Sequence, residues 1–302
     1  MRELVILSGK GGTGKTSLTA AFAYLAHNNV ICDADVDAAD LHLLAQPEVK
    51  TTSDFMGGGL AQIVGDLCTE CGTCRDVCRF EAIDESFTVN PISCEGCGVC
   101  VDMCPESAIE FPPQKCGEWF ISDSRFGPMV HARLGIAEEN SGKLVSLVRK
   151  EARELAEQNG YDLLITDGPP GIGCPVIASI SGATALVIVV EPTVSGIHDM
   201  LRVADLAAHF QIPGMVLVNK FDLNQELTES IEKVATERNM KVLGRVPFDA
   251  VFVKSMVKGV NIFEYEEDSA TLQAVKDIWA KIENAPVLNN MGVVDLKATI
   301  QS

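Results

Sequence analysis

Short runs of consecutive apolar residues alternate along most of this chain with longer stretches in which apolar residues recur every three or four positions. The runs at 4–7, 30–32, 163–167, 185–190, 214–218 and 241–246 predict strands. The run at 163–167 reads as a strand covered on both faces. The stretches 16–27, 141–159, 196–210, 225–239 and 269–282 predict helices. In the second of these, Leu144, Leu147, Val148, Ala152 and Leu155 share one face. Two further strands are expected at 118–122 and 129–134. Strands separated by helices imply a mostly parallel central sheet flanked by helices, the α/β class.

The alternation breaks after Pro47 and resumes after Lys115. Gly57-Gly58-Gly59 reads as a hinge, and Pro112-Pro113 closes the interruption. The expected organisation is one α/β domain in two parts, 1–60 and 113–302, with an insert at 61–112. The insert holds eight of the eleven cysteines, as Cys68-x-x-Cys71-x-x-Cys74-x-x-x-Cys78 and Cys94-x-x-Cys97-x-x-Cys100-x-x-x-Cys104. Residues 68–83 and 94–109 repeat at a constant offset of 26, which also aligns Gly72 with Gly98, Asp76 with Asp102, Ala82 with Ala108 and Ile83 with Ile109. So little apolar mass lies in this segment that bound groups must help hold it together.

Soft thiolates at this spacing suit zinc or iron–sulfur. Zinc sites use two Cys-x-x-Cys pairs or add histidine, whereas two runs of four with a lengthened third gap, the second followed by Pro105, match two-cluster bacterial ferredoxins. The insert therefore resembles a small α+β bacterial ferredoxin carrying two [4Fe–4S] clusters. That resemblance implies crossed ligation: one cluster on Cys68, Cys71, Cys74 and Cys104, the other on Cys78, Cys94, Cys97 and Cys100. Arg79 stands where the pattern has proline, and its charge is expected to raise the potential of the nearby cluster. Of the remaining cysteines, Cys32 is expected in the core, and Cys116 and Cys174 are read as structural thiols.

Composition agrees with a well-cored globular chain: 47% hydrophobic and 22% charged. A net charge of −18 disfavours nucleic acid. Residues 61–112 contain ten acidic residues against only Arg75 and Arg79, a surface able to steer a basic partner. The opening Met1-Arg2-Glu3 leads straight into a strand, leaving no room for a signal peptide, and no apolar run is long enough to cross a bilayer. A cytoplasmic location is expected, where reduced thiols serve metals rather than disulfides.

Gly9-Lys10-Gly11-Gly12-Thr13-Gly14-Lys15-Thr16, followed by Ser17, sits between a predicted strand and a predicted helix. In that context it is a phosphate-binding loop: backbone N–H groups wrap the phosphates, Lys15 reaches the β- and γ-phosphates, and the Thr16 hydroxyl ligates Mg²⁺. Asp33, Asp35 and Asp37 follow the second strand, where carboxylates hold metal-bound water or position the attacking water.

The order Lys-Gly-Gly-Thr-Gly-Lys-Thr resembles the deviant Walker A motif of the MinD/Mrp/ParA ATPases, with the nitrogenase iron protein a more distant relative. The resemblance covers nearly the whole chain. It implies that Lys10 reaches a partner's phosphates across a nucleotide-bridged homodimer, that Asp35 is the switch I aspartate, and that Asp37 matches an iron-protein position. It further implies that Asp167-Gly168-Pro169-Pro170-Gly171 is the Walker B strand running into switch II, with Asp167 joining Thr16 and Asp35 at Mg²⁺. Asn219 is expected to read adenine opposite Pro247-Phe248-Asp249. Asn219-Lys220-x-Asp222 also resembles a guanine-reading motif, so the base stays open; the loop favours ATP. The chain lacks the extra Cys-x-x-Cys of Mrp-type scaffolds. His131 and His198 are assigned no role.

The expected function is Mg²⁺-dependent ATP hydrolysis coupled to electron transfer to, or metallocentre assembly in, a partner protein. The alternatives are an iron–sulfur assembly scaffold, a redox module that binds nucleotide with little turnover, and a membrane-positioning protein. The last requires a basic amphipathic C-terminus, and 291–302 offers only Lys297.

Overall fold

The computed structural model describes residues 1–135 and 142–289 of the chain. In chain order the elements are β1 (Arg2–Ser8), α1 (Lys15–Leu25), β2 (Asn29–Asp33), α2 (Leu41–Ala45), β3 (Glu48–Gly59), β4 (Gln62–Ile63), α3 (Thr73–Val77), α4 (Val99–Asp102), β5 (Ile109–Glu110), β6 (Pro113–Ser124) and β7 (Gly127–Leu134). There follow α5 (Lys143–Asn159), β8 (Leu163–Asp167), α6 (Cys174–Ile180), β9 (Ala185–Val190), α7 (Val194–His209), β10 (Gly214–Asn219), α8 (Gln225–Glu237), β11 (Lys241–Val246), α9 (Ala250–Lys258), α10 (Ile262–Tyr265), α11 (Ala270–Glu283) and α12 (Pro286–Asn289). They fall into two compact units. Among the described residues, the larger comprises Met1–Thr51, Phe120–Ala132 and 142–289; the smaller comprises Thr52–Trp119 and 133–135.

Nine strands run in the order β11-β10-β9-β1-β8-β2-β7-β6-β3. β1 pairs in parallel with β8 and β9, with Leu4 opposite Ile165 and Ala185. β2 pairs in parallel with β8 and β7, and β10 with β9 and β11. Alternate residues of β1 serve opposite faces. Leu4 and Ile6 join Leu18, Phe22, Leu272 and Trp279 on one side, and Val5 and Leu7 join Val176, Met200 and Val203 on the other. That is the reason for the unbroken apolar run. At the opening of β1, the buried Glu3 carboxylate accepts from Arg149 Nε at 2.8 Å and Arg153 Nε at 2.7 Å, tying α5 to the sheet. Because β1, β8 and β2 are neighbours, their carboxyl ends bring the loop after β1, Asp167 and Asp33 together, the usual place for a ligand in such a sheet.

The smaller unit repeats itself internally. Gly72 and Gly98, at φ 83° and 75°, each precede a short helix, α3 and α4. Ala82 N–H donates to Cys78 Sγ at 3.4 Å, and Ala108 N–H to Cys104 Sγ at 3.3 Å. β4 and β5 pair antiparallel. Its core is small: Ala61, Cys74, Ile83 and Ile109 are buried, with Cys94, Cys100, Cys104, Phe87 and Phe111 packed around them.

One expectation is corrected. Gly57-Gly58-Gly59 is the end of β3, not a hinge. A Cβ on Gly57 would meet Cys116 Sγ at 2.4 Å, and one on Gly59 would meet the Phe111 ring at 2.5 Å. These glycines are required by close approach in a strand rather than by flexibility.

Candidate functional site

The loop between β1 and α1 carries two residues in the left-handed region, Gly12 at φ 78° and Gly14 at φ 88°. A side chain on Gly14 would be strained and would also meet Asn219 Nδ2 at 2.4 Å. Lys15 opens α1 and is buried; its Nζ lies 2.8 Å from Asp167 Oδ1 and 3.4 Å from Asp35 Oδ2. Burial alone would lower its pKa, but the carboxylates of Asp167 and Asp35 outweigh it and hold the ammonium above its ordinary range. Thr16 Oγ1 donates to Asp167 Oδ2 at 2.7 Å, and Thr19 Oγ1 to Asp167 Oδ1 at 2.8 Å. Thr19 was not singled out from the sequence, although it lies one turn beyond Thr16.

Three buried carboxylates, Asp33, Asp35 and Asp167, thus face one buried ammonium. Burial and the neighbouring Asp167 push the Asp33 pKa well up. Burial likewise raises Asp35, against the opposing pull of Lys15. Thr13 Oγ1, Asp33 Oδ2 and Asp35 Oδ1 are buried with no hydrogen-bond partner among the described residues. Orphaned acceptors and surplus negative charge at a glycine-rich loop fit a divalent cation accompanied by phosphate. Thr16, Asp35 and Asp167 are the residues placed to hold the cation. Asp37 lies just beyond, exposed, and adds its charge to the field on Asp35.

A cleft opens here, enclosing about 1210 Å³ including the part continuous with solvent. Gly11 to Ser17, Asp35, Asn219, Lys220, Pro247, Phe248 and Asp249 line it, so the residues read as nucleotide-binding converge, apart from Gly9 and Lys10. Gly9 packs instead against α7, where a Cβ would meet Asp199 Cβ at 2.1 Å. Lys10 turns toward its own chain: its Nζ lies 3.3 Å from Glu191 Oε2 and 3.3 Å from Thr193 Oγ1. Glu191 also takes Lys220 Nζ at 3.1 Å. Burial would raise the Glu191 pKa, but Lys220 and then Lys10 hold it below the usual carboxylate range. Glu191 escaped the sequence reading. Its signal was a lone acid directly after the apolar run of β9, at the ligand-binding end of the sheet.

Within the smaller unit, two cavities enclose about 320 and 380 Å³, again including space open to solvent. Cys68, Cys71, Cys74 and Cys104 line the first; Cys78, Cys94, Cys97 and Cys100 line the second. Each cavity therefore takes three cysteines from one run and the last cysteine of the other. The electrostatic neighbours agree: Cys74 feels Cys68 and Cys104, and Cys100 feels Cys94, Cys97 and Cys78. Among the described residues, no three His, Cys, Asp or Glu side chains converge on a single metal ion. Cys32 is fully buried in β2, Cys116 is buried, and Cys174 is exposed at the start of α6. His131 Nε2 lies 2.9 Å from Ser122 Oγ, and His198 lies beside Asp199, neither on the cleft.

No helix among the described residues is long and apolar enough to cross a membrane, and 291–302 lies outside them. Uncharacterized protein MJ0578 of Methanocaldococcus jannaschii is 32% identical over 93% of this chain and 96% of its own length. Among solved structures, the septum site-determining protein MinD complexed with Mg-ADP from Pyrococcus horikoshii superposes with a TM-score of 0.59 at 16% identity, covering 94% of this chain and 96% of that one. The MinC:MinD cell division complex of Aquifex aeolicus gives 0.56 at 20% identity, covering 93% and 96%. The model of the CobQ/CobB/MinD/ParA nucleotide binding domain matches residues 4–262, from β1 to the start of α10. That match spans most of the chain, from the glycine-rich loop through the base end of the cleft, and the chain belongs to the CobQ/CobB/MinD/ParA nucleotide-binding family.

Proposed function

We propose that the chain is a Mg-ATP-dependent iron–sulfur protein, in which an ATPase cycle is coupled to electron transfer to, or metallocentre assembly in, a partner protein. The observation that carries this reading is the division of eight cysteines into two cavities in the crossed combination. A single ion draws its ligands to one point, whereas each thiolate of a [4Fe–4S] cluster binds its own iron. Two sets of four soft donors with no histidine fit two such clusters.

At the nucleotide site, Lys15 leaves its carboxylate partners for the phosphates, and Thr16 and Asp167 hold the cation. Bound Mg²⁺ would offset charge on the phosphoryl oxygens. Asp35, released from Lys15, would share in holding the cation and orient the attacking water beside it. Lys10 moves from Glu191 to the phosphates of a second copy, giving a nucleotide-dependent homodimer. Gly168 and Gly171, whose N–H groups donate to Ile6 O at 2.9 Å and Ser8 O at 3.1 Å, link the γ-phosphate region to the β1 strand. Exchange between these arrangements is the step through which nucleotide state would alter the environment of the clusters.

Steady-state ATP hydrolysis, measured anaerobically on the intact chain with clusters oxidised and then reduced, tests the coupling. The expected result is a severalfold difference in rate. Equal rates would favour a redox module that binds nucleotide independently, and loss of clusters to an apo-protein acceptor would favour an assembly scaffold.

A further inference from the structure

The Asn219-Lys220-Phe221-Asp222 sequence leaves the identity of the base open, and the structure shows which partners its side chains take. Asn219 Nδ2 donates to Thr13 O at 2.7 Å, and its Oδ1 accepts from Lys220 N–H at 3.0 Å. Lys220 Nζ donates to Gly12 O at 2.9 Å and lies against Glu191. Asp222 Oδ1 accepts from Phe248 N–H at 2.6 Å, and Asp222 is not among the residues lining the cleft.

A guanine offers N1–H and N2–H₂ donors on one edge, and a carboxylate is the acceptor that matches both. Two carboxylates are near this end of the cleft. Asp222 is bound to Phe248, and Asp249 accepts from Val251 N–H at 2.9 Å and Thr271 Oγ1 at 2.6 Å. The remaining wall is apolar: Phe248, Phe252, Val253, Met256 and Val257. Phe248, Val253 and Val257 are 56, 63 and 82% exposed, an area of apolar surface suited to a flat ring. Guanine's donors meet no side-chain acceptor on such a wall, and a polar group covered without a partner costs more than a missing apolar contact.

We infer that Asp222 is a positioning residue: it fixes the 247–249 turn through Phe248 N–H and so builds an apolar slot that takes adenine in preference to guanine. This rests on the nucleotide-binding reading above. The test is calorimetric binding of Mg-ATP, Mg-GTP and the Mg²⁺ complex of xanthosine triphosphate to the intact anaerobic protein and to Asp222→Asn and Asp222→Ala. An asparagine side chain at this position retains the acceptor for Phe248 N–H, so Asp222→Asn should bind ATP within about twofold of the parent. Asp222→Ala should lose about tenfold for ATP and gain nothing for GTP or xanthosine triphosphate, with an unchanged circular dichroism spectrum. The parent should favour ATP over GTP by tenfold or more. The inference is overturned by a parent that prefers GTP, by an Asp222→Asn protein that exchanges GTP for xanthosine triphosphate, or by Asp222→Ala binding ATP like the parent. Failure of the parent to bind any of the three would overturn the nucleotide-binding reading itself.

Discussion

Replacing Lys15 by alanine is expected to reduce ATP affinity by at least about a hundredfold and to destabilise the nucleotide-free protein as well. The first effect follows from losing charge-assisted hydrogen bonds to phosphate, each worth roughly 1.5–3 kcal/mol. The second follows from what Lys15 does when no phosphate is present. It is the buried cation facing Asp35 and Asp167, and without it three buried carboxylates remain together. Removing one partner of a buried pair costs about 3–5 kcal/mol when the other stays charged. Here the carboxylates can escape part of that cost by taking protons. Asp33 and Asp35 already have raised pKa values, so the folded state binds more protons than the unfolded one. The sign is therefore fixed: stability falls as pH rises above the ordinary aspartate value of 3.8 toward the raised ones, and recovers on acidification. The Lys15→Ala protein should show this slope more steeply than the parent in thermal melts across that window. Asp33→Asn should do the reverse. It keeps an acceptor for Asp35 N–H, removes one like charge, and should raise the melting temperature by a few degrees, roughly 1 kcal/mol, while weakening Mg²⁺-dependent binding. A Lys15→Ala protein as stable as the parent at neutral pH would show that the carboxylates are neutralised by some other means.

The cysteine variants should fall into two groups that ignore sequence order. Cys104→Ser and Cys71→Ser should remove the same cluster, although the residues belong to different runs, and Cys78→Ser should behave like Cys97→Ser. Iron should drop from about eight to about four atoms per chain in each single variant. The double variant Cys71→Ser/Cys104→Ser should retain the same four, whereas Cys78→Ser/Cys104→Ser should retain none. Were each run to serve its own cluster, Cys71 and Cys78 would group together instead. Loss of both clusters should also unfold the smaller unit, read as rapid proteolysis between 52 and 119. Its main hydrophobic cluster holds four buried residues, one of them Cys74, so clusters, where bound, would supply much of its stability.

How far the molecule was legible depended on which force set each feature. The apolar runs at 4–7, 163–165 and 185–190 were readable because burial on both faces leaves no polar position in them. The phosphate loop was readable because its glycines and lysines fall at a recognisable spacing between a strand and a helix. β3 was not: over Glu48–Thr52 it is exposed and, apart from Val49, polar, and its three glycines suggested flexibility. Those glycines answer to Cys116 and Phe111, residues distant in sequence. The short helices α6 and α9 were missed for lack of length; seven and nine residues give periodicity little room. The partners of Lys10 and Lys220 depend on strand order, which brings Glu191 beside the loop, and no local pattern reports that. The crossed division of the cysteines, by contrast, was expected from the ferredoxin-like repeat, and the two cavities have that composition.

Nucleotide and clusters can be linked only if each alters the free energy of the other, and that linkage is reciprocal. It is measured most directly by an electron paramagnetic resonance redox titration of the anaerobic protein, run without nucleotide and again with saturating Mg-ATP. The expected result is two reducible cluster signals, with at least one midpoint potential displaced by Mg-ATP. Absence of any iron–sulfur signal, or two titrations that superimpose, would contradict the coupling of an ATPase cycle to clusters within this chain.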